Sequence, residues 1–201
     1  MGYKKSKISI ASIVDAAMRV LARQGYARTS LMDIASEVGM SKGAVHYHFP
    51  TKEALMGQVL QTACDTVATR TLDALTQGGN PLEALRSAIR VMWRARAELS
   101  DEAKVVADLL AQSLHEHSLR PPLAQYYRFA SAQVEEHLAG HLSALGLQPK
   151  IHISKIPRVL NAMLDGLLMQ KIVDPDAITE EFVIECLETM AAALFEPKTP
   201  A

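Results

Sequence analysis

Cysteine is nearly absent: Cys64 and Cys186 are the two thiols in 201 residues, too few and too far apart for a disulfide framework or a cysteine metal cluster. They read as small buried hydrophobes in a reducing compartment, so a cytoplasmic location is expected. Aromatic residues supply 5% of the chain against 49% hydrophobic residues overall. The apolar content is therefore rich in alanine and leucine, which favour helices, whereas β-branched and aromatic residues lead in strands. No uncharged apolar run approaches the ~20 residues that span a bilayer, so no membrane association is expected. The basic start Met1-Gly2-Tyr3-Lys4-Lys5 is not followed by the apolar stretch of a signal peptide. Strand-period alternation, internal repeats and low-complexity tracts are also missing. So is any Ser/His/Asp set, phosphate loop or metal quartet at interpretable spacing, which leaves no catalytic residue, cofactor or metal to expect.

Net charge is −1, but it is unevenly spread. Residues 1–55 hold eight Lys/Arg against four Asp/Glu, a net +4; the remainder holds thirteen against eighteen, a net −5. A basic head on an acidic body attracts a polyanion to one end and repels it from the other.

Punctuation divides the chain into nine predicted helices. Ile10, Ile13, Ala17, Val20 and Leu21 recur at helical spacing until Gly25. Ser30 to Asp33 fits a capping box that opens a second helix, closed by Gly39. Ser41 caps a short third helix that runs to about His48, and Pro50 ends it. A fourth begins near Lys52 after Thr51 and runs to about Leu75, with Gly78-Gly79 as its stop. Asn80-Pro81 opens the fifth, which ends near 98. The rest are expected at about 102–117, 122–145, 155–173 and 176–195, with a frayed tail at 197–201. The class is all-α.

Helix, glycine turn and short polar helix make a helix-turn-helix pattern. A helix as short as 41–48 is marginal alone, so its hydroxyl, lysine and imidazole groups need an external reason. Gly25-Tyr26, Thr29-Ser30, Asp33-Ile34-Ala35, Val38-Gly39, Ser41-Lys42-Gly43, Tyr47-His48-Phe49 and Lys52-Glu53-Ala54-Leu55 stand in one continuous register. That array resembles the signature of the TetR family of transcriptional regulators over about residues 10–56. The resemblance implies a helix-turn-helix DNA-binding head at 1–52 and a helical ligand-binding and dimerisation body at 53–196. It further implies a homodimer on a pseudo-palindromic double-stranded operator, released when a small, largely hydrophobic effector enters the body and shifts the fourth helix.

Phosphate oxygens are best met by hydroxyls, helix N-termini and lysines, which Ser41, Thr51 and Lys52 supply. By the resemblance, Lys42, Gly43, Ala44 and His46 face base edges, Tyr47 and His48 brace phosphate and sugar, and Ser30 and Leu31 complete the DNA-contacting set. Phe49, Ile34 and Leu55 read as packing. The family usually carries tyrosine at the position of His46, so base preference does not transfer there. A metal on His46 and His48, or on His115 and His117, is disfavoured because i,i+2 positions diverge on a helix.

In the body, Met92, Trp93, Arg96, Leu110, Tyr126, Tyr127 and Met163 are the candidate effector-lining residues, since Met and aromatics suit adaptable apolar pockets. Each is also at home in a plain core, and Arg96 is as readily paired with Glu98 or Asp101 as with an anionic ligand. Leu160, Leu164, Leu167 and Leu168 on the eighth helix, with Val183, Leu187 and Met190 on the ninth, are the expected dimer interface; burial within one subunit is the alternative. Competing function classes are a helical enzyme, which lacks a catalytic set, and a protein adaptor, whose docking helix would carry apolar anchors. Activation instead of repression, or action without an effector, remains open.

Overall fold

The computed structural model describes residues 2–77 and 80–198. The expected Gly78-Gly79 stop and the last three residues of the expected tail lie outside them. Nine α-helices occur among the described residues: α1 Gly2–Gln24, α2 Leu31–Val38, α3 Lys42–His48, α4 Lys52–Gln77, α5 Pro81–Ala97, α6 Asp101–Gln112, α7 Arg120–Ala144, α8 Ile156–Val173 and α9 Glu180–Leu194. The all-α expectation holds. Among the described residues no helix is long and apolar enough to cross a membrane.

The caps explain most boundaries. Asn80 Oδ1 accepts from Glu83 N–H at 3.0 Å with Pro81 in the first turn of α5, and Ser100 Oγ accepts from Ala103 N–H to open α6. Two helices are shorter than the sequence suggests. The sixth stops at Gln112 instead of 117, in turns that precede a 3-10 segment at His117–Leu119, so His115 lies in a turn, Glu116 caps the 3-10 segment and His117 begins it, all three exposed. The ninth starts at Glu180 instead of 176, because Thr179 is the cap that accepts from Phe182 N–H. One element has no counterpart in the sequence pattern. Strand β1 (Leu147–Pro149) pairs antiparallel with β2 (Phe195–Pro197), with Gln148 opposite Glu196. Lys198 N–H donates to Gly146 O at 2.7 Å, so the described start of the expected tail is tied down.

The chain forms two compact units. The first comprises residues 1–65 and 99–126, the second residues 66–98 and 127–201. The core of the first is built by one face of α1 (Ile13, Ala17, Val20, Leu21), by Ile34 and Ala35 of α2, by Val45 and Phe49 at α3, and by Leu55, Met56, Val59 and Leu60 of α4. Val105 and Leu109 of α6 and Leu119 and Leu123 complete it. Helices α2 and α3 are short and bury little alone, and α6 supplies extra apolar surface to this core.

In the second unit Met92 and Trp93 of α5 pack with Leu160, Leu164, Leu167 and Leu168 of α8, Ile178, and Val183 and Leu187 of α9. Trp93 is 1% exposed. Ion pairs fasten α5 to α9: Arg86 Nε to Glu188 at 2.6 Å, and Arg94 in a two-pronged pair with Glu180 at 2.7 and 2.8 Å. These residues are largely exposed, so the pairs set register more than they add stability.

Candidate nucleic-acid interface

The geometry of the head starts from two polar caps and one glycine. Ser30 Oγ accepts from Asp33 N–H at 3.2 Å, while the Asp33 carboxylate accepts from Ser30 N–H and Oγ–H, both at 2.7 Å. This closed box satisfies the first donors of α2. It also holds the Asp33 carboxyl below its ordinary pKa, chiefly through the Ser30 hydroxyl and then the Ser30 amide. Gly39 sits at φ 72°, ψ 30°, the left-handed conformation that ends α2 and turns the chain sharply. Ser41 then caps α3, accepting from Ala44 N–H at 3.2 Å. On the back of α2, Glu37 takes Arg19 and Arg23 at 3.1 Å each, and their hydrogen bonds hold its carboxyl below the usual range.

The short helix α3 has two distinct sides. Val45 is fully buried and Phe49, four residues on, is 8% exposed. Ser41, Lys42, Gly43, His46 and Tyr47 are exposed, and Ala44 and His48 are half-buried. Tyr47 is 82% exposed, its ring meeting His48 edge-on at 5.3 Å. A methyl group at Gly43 would meet only Ser41 Oγ, 4.0 Å away. Nothing inside the chain therefore requires glycine there, and a helical glycine costs roughly 0.5–1 kcal/mol against alanine. The outer face thus presents a cation, an imidazole, a phenol and a position open to close backbone approach. Such a surface suits groove edges and phosphates.

Five of the expected contacts have internal duties, Ser41 among them as the cap of α3. The Ser30 hydroxyl is engaged in the capping box. Leu31 packs against the core of the unit, leaving Met32, 52% exposed, as the apolar side chain at the surface of α2's first turn. Thr51 Oγ1 accepts from Ala54 N–H at 3.1 Å and so caps α4. Lys52 is folded back onto Tyr26: its ammonium donates to the Tyr26 carbonyl and lies 3.5 Å from the centre of the ring. Burial pulls its pKa below the lysine value. Sequence reasoning misses Tyr26 as a support. It stands in the quoted motif, yet its partner Asp108 lies 82 residues away and leaves no local signal.

The effector-lining candidates do not gather in one place. Leu110 and Tyr126 pack on the core of the first unit, whereas Met92, Trp93 and Met163 belong to the core of the second. Arg96 forms its ion pair with Asp165 on α8, where the sequence offered Glu98 or Asp101: its Nε donates to Asp165 at 2.8 Å and its other nitrogens to Met92 O and Asn161 Oδ1. Tyr127 donates to the second oxygen of the same carboxylate at 2.6 Å. The network Arg96–Asp165–Tyr127 joins α5, α7 and α8 within the second unit.

The expected interface residues also lie elsewhere. Leu160, Leu164, Leu167, Leu168, Val183 and Leu187 are 0–9% exposed and sit in their own subunit's core, with Met190 packed against it. The physical reason is α5, whose Met92 and Trp93 occupy that face. The other side of α8 carries Val159, Ala162, Gly166, Met169 and Val173, all exposed, and α9 adds Phe182.

Residues 13–59 match the family model for bacterial regulatory proteins, tetR family, and residues 81–196 match the BetI-type transcriptional repressor C-terminal model. The chain is 37% identical over 89 residues to an uncharacterized HTH-type transcriptional regulator of Bacillus subtilis, YuxN, a match over 44% of this chain and 31% of that protein. It is 25% identical over 160 residues to the HTH-type transcriptional regulator BetI of Rhizobium meliloti, over 80% of this chain and 76% of that one. The fold matches a TetR-family regulator structure from Rhodococcus sp. with a TM-score of 0.77 at 17% identity, over 90% of this chain and 96% of that chain.

Proposed function

We propose, because the chain belongs to the tetR family of bacterial regulatory proteins, that this DNA-binding transcriptional regulator is a repressor. In this reading it holds a pseudo-palindromic operator as a homodimer in the cytoplasm and leaves it when a small, largely hydrophobic molecule occupies the second unit. The observation that carries the DNA half is α3: Val45 and Phe49 anchor its back, while Lys42, Gly43, His46 and Tyr47 stand clear on its front. Ser41 and the N-terminus of α3 offer hydrogen-bond donors to phosphate, as an anion at a helix start requires. His46 and Lys42 reach base edges, Tyr47 and His48 brace sugar and phosphate.

The dimer half rests on the outward face of α8. Val159, Ala162, Gly166, Met169 and Val173 follow spacings of three and four residues, the narrow seam that two helices share when they pack along their length. A two-fold axis through that seam would present two copies of α3 to two half-sites. For the effector, Met92, Trp93, Tyr127 and Met163 are the candidates that share the second unit, the first two as core residues, and Arg96 serves as the counter-charge of Asp165.

Replacing Lys42 with alanine tests the DNA half. Duplex affinity should fall by about 1–3 kcal/mol with the preference relaxed at one base pair, as loss of a base-edge contact requires, and the loss of a cation from the groove should lower the salt dependence of log K. Binding and salt dependence equal to wild type would remove α3 from the interface.

A further inference from the structure

Tyr26 is held at three points. Its N–H donates to Asp108 Oδ2 at 2.6 Å, its carbonyl accepts from Lys52 Nζ, and its hydroxyl donates to Glu53 Oε1 at 3.1 Å. One residue thus connects α6 to the first two residues of α4 within the first unit. The neighbouring Gly25 adopts φ +77°, and a methyl group there would stand 3.3 Å from Asp108 Oδ2. The close approach of α6 to this turn is therefore built into the backbone as well as into the hydrogen bond.

The Lys52 ammonium is located by what Tyr26 offers it. The carbonyl and the ring face fix it from two directions. An ammonium has three N–H donors, so the bond to Tyr26 does not exhaust it for a phosphate oxygen. Moving Tyr26 moves this cation, and Asp108 is the acceptor of the Tyr26 amide.

We infer that Asp108, on α6 and outside the helix-turn-helix, is a positioning residue for DNA binding, acting through Tyr26 on the Lys52 ammonium at the start of α4. This rests on the reading that the head binds duplex DNA with Lys52 near phosphate. A carboxylate that merely stabilised the fold would change the melting temperature without coupling to Lys52 in DNA affinity.

The experiment is a double-mutant cycle on DNA affinity with Asp108→Ala and Lys52→Ala, using the full chain and a duplex selected by the wild type. Each single variant should weaken binding by about tenfold, the factor that ~1.4 kcal/mol gives, and flatten the salt slope by about 0.9 per phosphate released from its cation. The double variant should match the weaker single one within about twofold, the scatter seen for independent pairs. Asp108→Asn retains an acceptor oxygen and should restore binding. Where Asp108→Ala does not fold, Asp108→Glu keeps the charge but lengthens the reach, and affinity must still fall. Additive losses, unchanged affinity in the folded Asp108 variant, or unchanged affinity in Lys52→Ala each overturn the inference. Wild-type protein that selects no duplex fails the proposed function instead.

Discussion

Two alanine substitutions on α8 should have opposite consequences, although both remove aliphatic carbon. Leu164 is 0% exposed in the core of the second unit, and Val173 is 85% exposed near the end of the outward seam. Leu164→Ala deletes buried atoms and leaves a cavity, which costs about 2–5 kcal/mol of subunit stability. Val173→Ala removes two methyl-sized groups that the single chain leaves in water, so subunit stability should change by less than ~0.5 kcal/mol. In a two-fold dimer the truncation acts on both copies. At ~0.8 kcal/mol per buried carbon group, two groups in each of two copies come to about 3 kcal/mol. Dimer affinity should therefore weaken on the order of 10²-fold. Sedimentation equilibrium across a dilution series reads the dimer, and denaturant unfolding at high protein concentration reads the fold. The reasoning is refuted if Val173→Ala dimerises as tightly as wild type, or if Leu164→Ala dissociates the dimer while leaving the unfolding midpoint in place.

Removing the Ser30 hydroxyl should cost about 0.5–2 kcal/mol of stability, the worth of an N-cap, and should also change its pH dependence. Asp33 is held below its ordinary pKa in the folded state by that hydroxyl; such a carboxylate stabilises above its unfolded pKa and loses the contribution as pH falls through the folded one. Urea midpoints should accordingly drop more steeply on acidification in wild type than in Ser30→Ala, and parallel curves would count against the capping box. Arg96→Ala leaves the Asp165 carboxylate with the Tyr127 hydroxyl but without its charged partner, and should destabilise by about 1.5–3 kcal/mol, the range for hydrogen bonds to charge; a thermal melt indistinguishable from wild type would return Arg96 to the ligand candidates. Leu99 occupies φ 49° just before the Ser100 cap, a strain of roughly 1–2 kcal/mol for an L-residue, so Leu99→Gly should leave the melting temperature unchanged or raised, and a clear drop would show that the side chain's packing outweighs the strain.

The parts legible in the sequence are those whose cause lies within a few residues. Ser30 and Asp33 form their box across three positions, Gly39 ends α2, and Ser41 opens α3; each can be read from spacing alone. Val45 and Phe49 declare the inner face of α3 by the same local periodicity. Helix α8 is harder, because both its sides are apolar: Leu160 and Val159 are neighbours, and only α5 decides which of them is covered. Arg96 has acidic residues close in sequence, yet it bonds to Asp165, 69 residues away, because α5 packs against α8. The Tyr26–Asp108 bond and the β1–β2 pairing join segments 82 and about 48 residues apart. Periodicity reports which face is apolar, and it is silent about which element arrives to cover it.

Selection of duplexes from a random-sequence pool by the purified 201-residue chain, repeated with His46→Ala, measures the central claim most directly. The wild type should converge on an inverted repeat, and His46→Ala should relax the preference at one base pair in each half-site while retaining the rest, a loss of about 1–3 kcal/mol confined to that position. A pool that shows no sequence enrichment, or a repeat identical in both proteins at every position, would contradict the assignment of α3 as the helix that reads DNA.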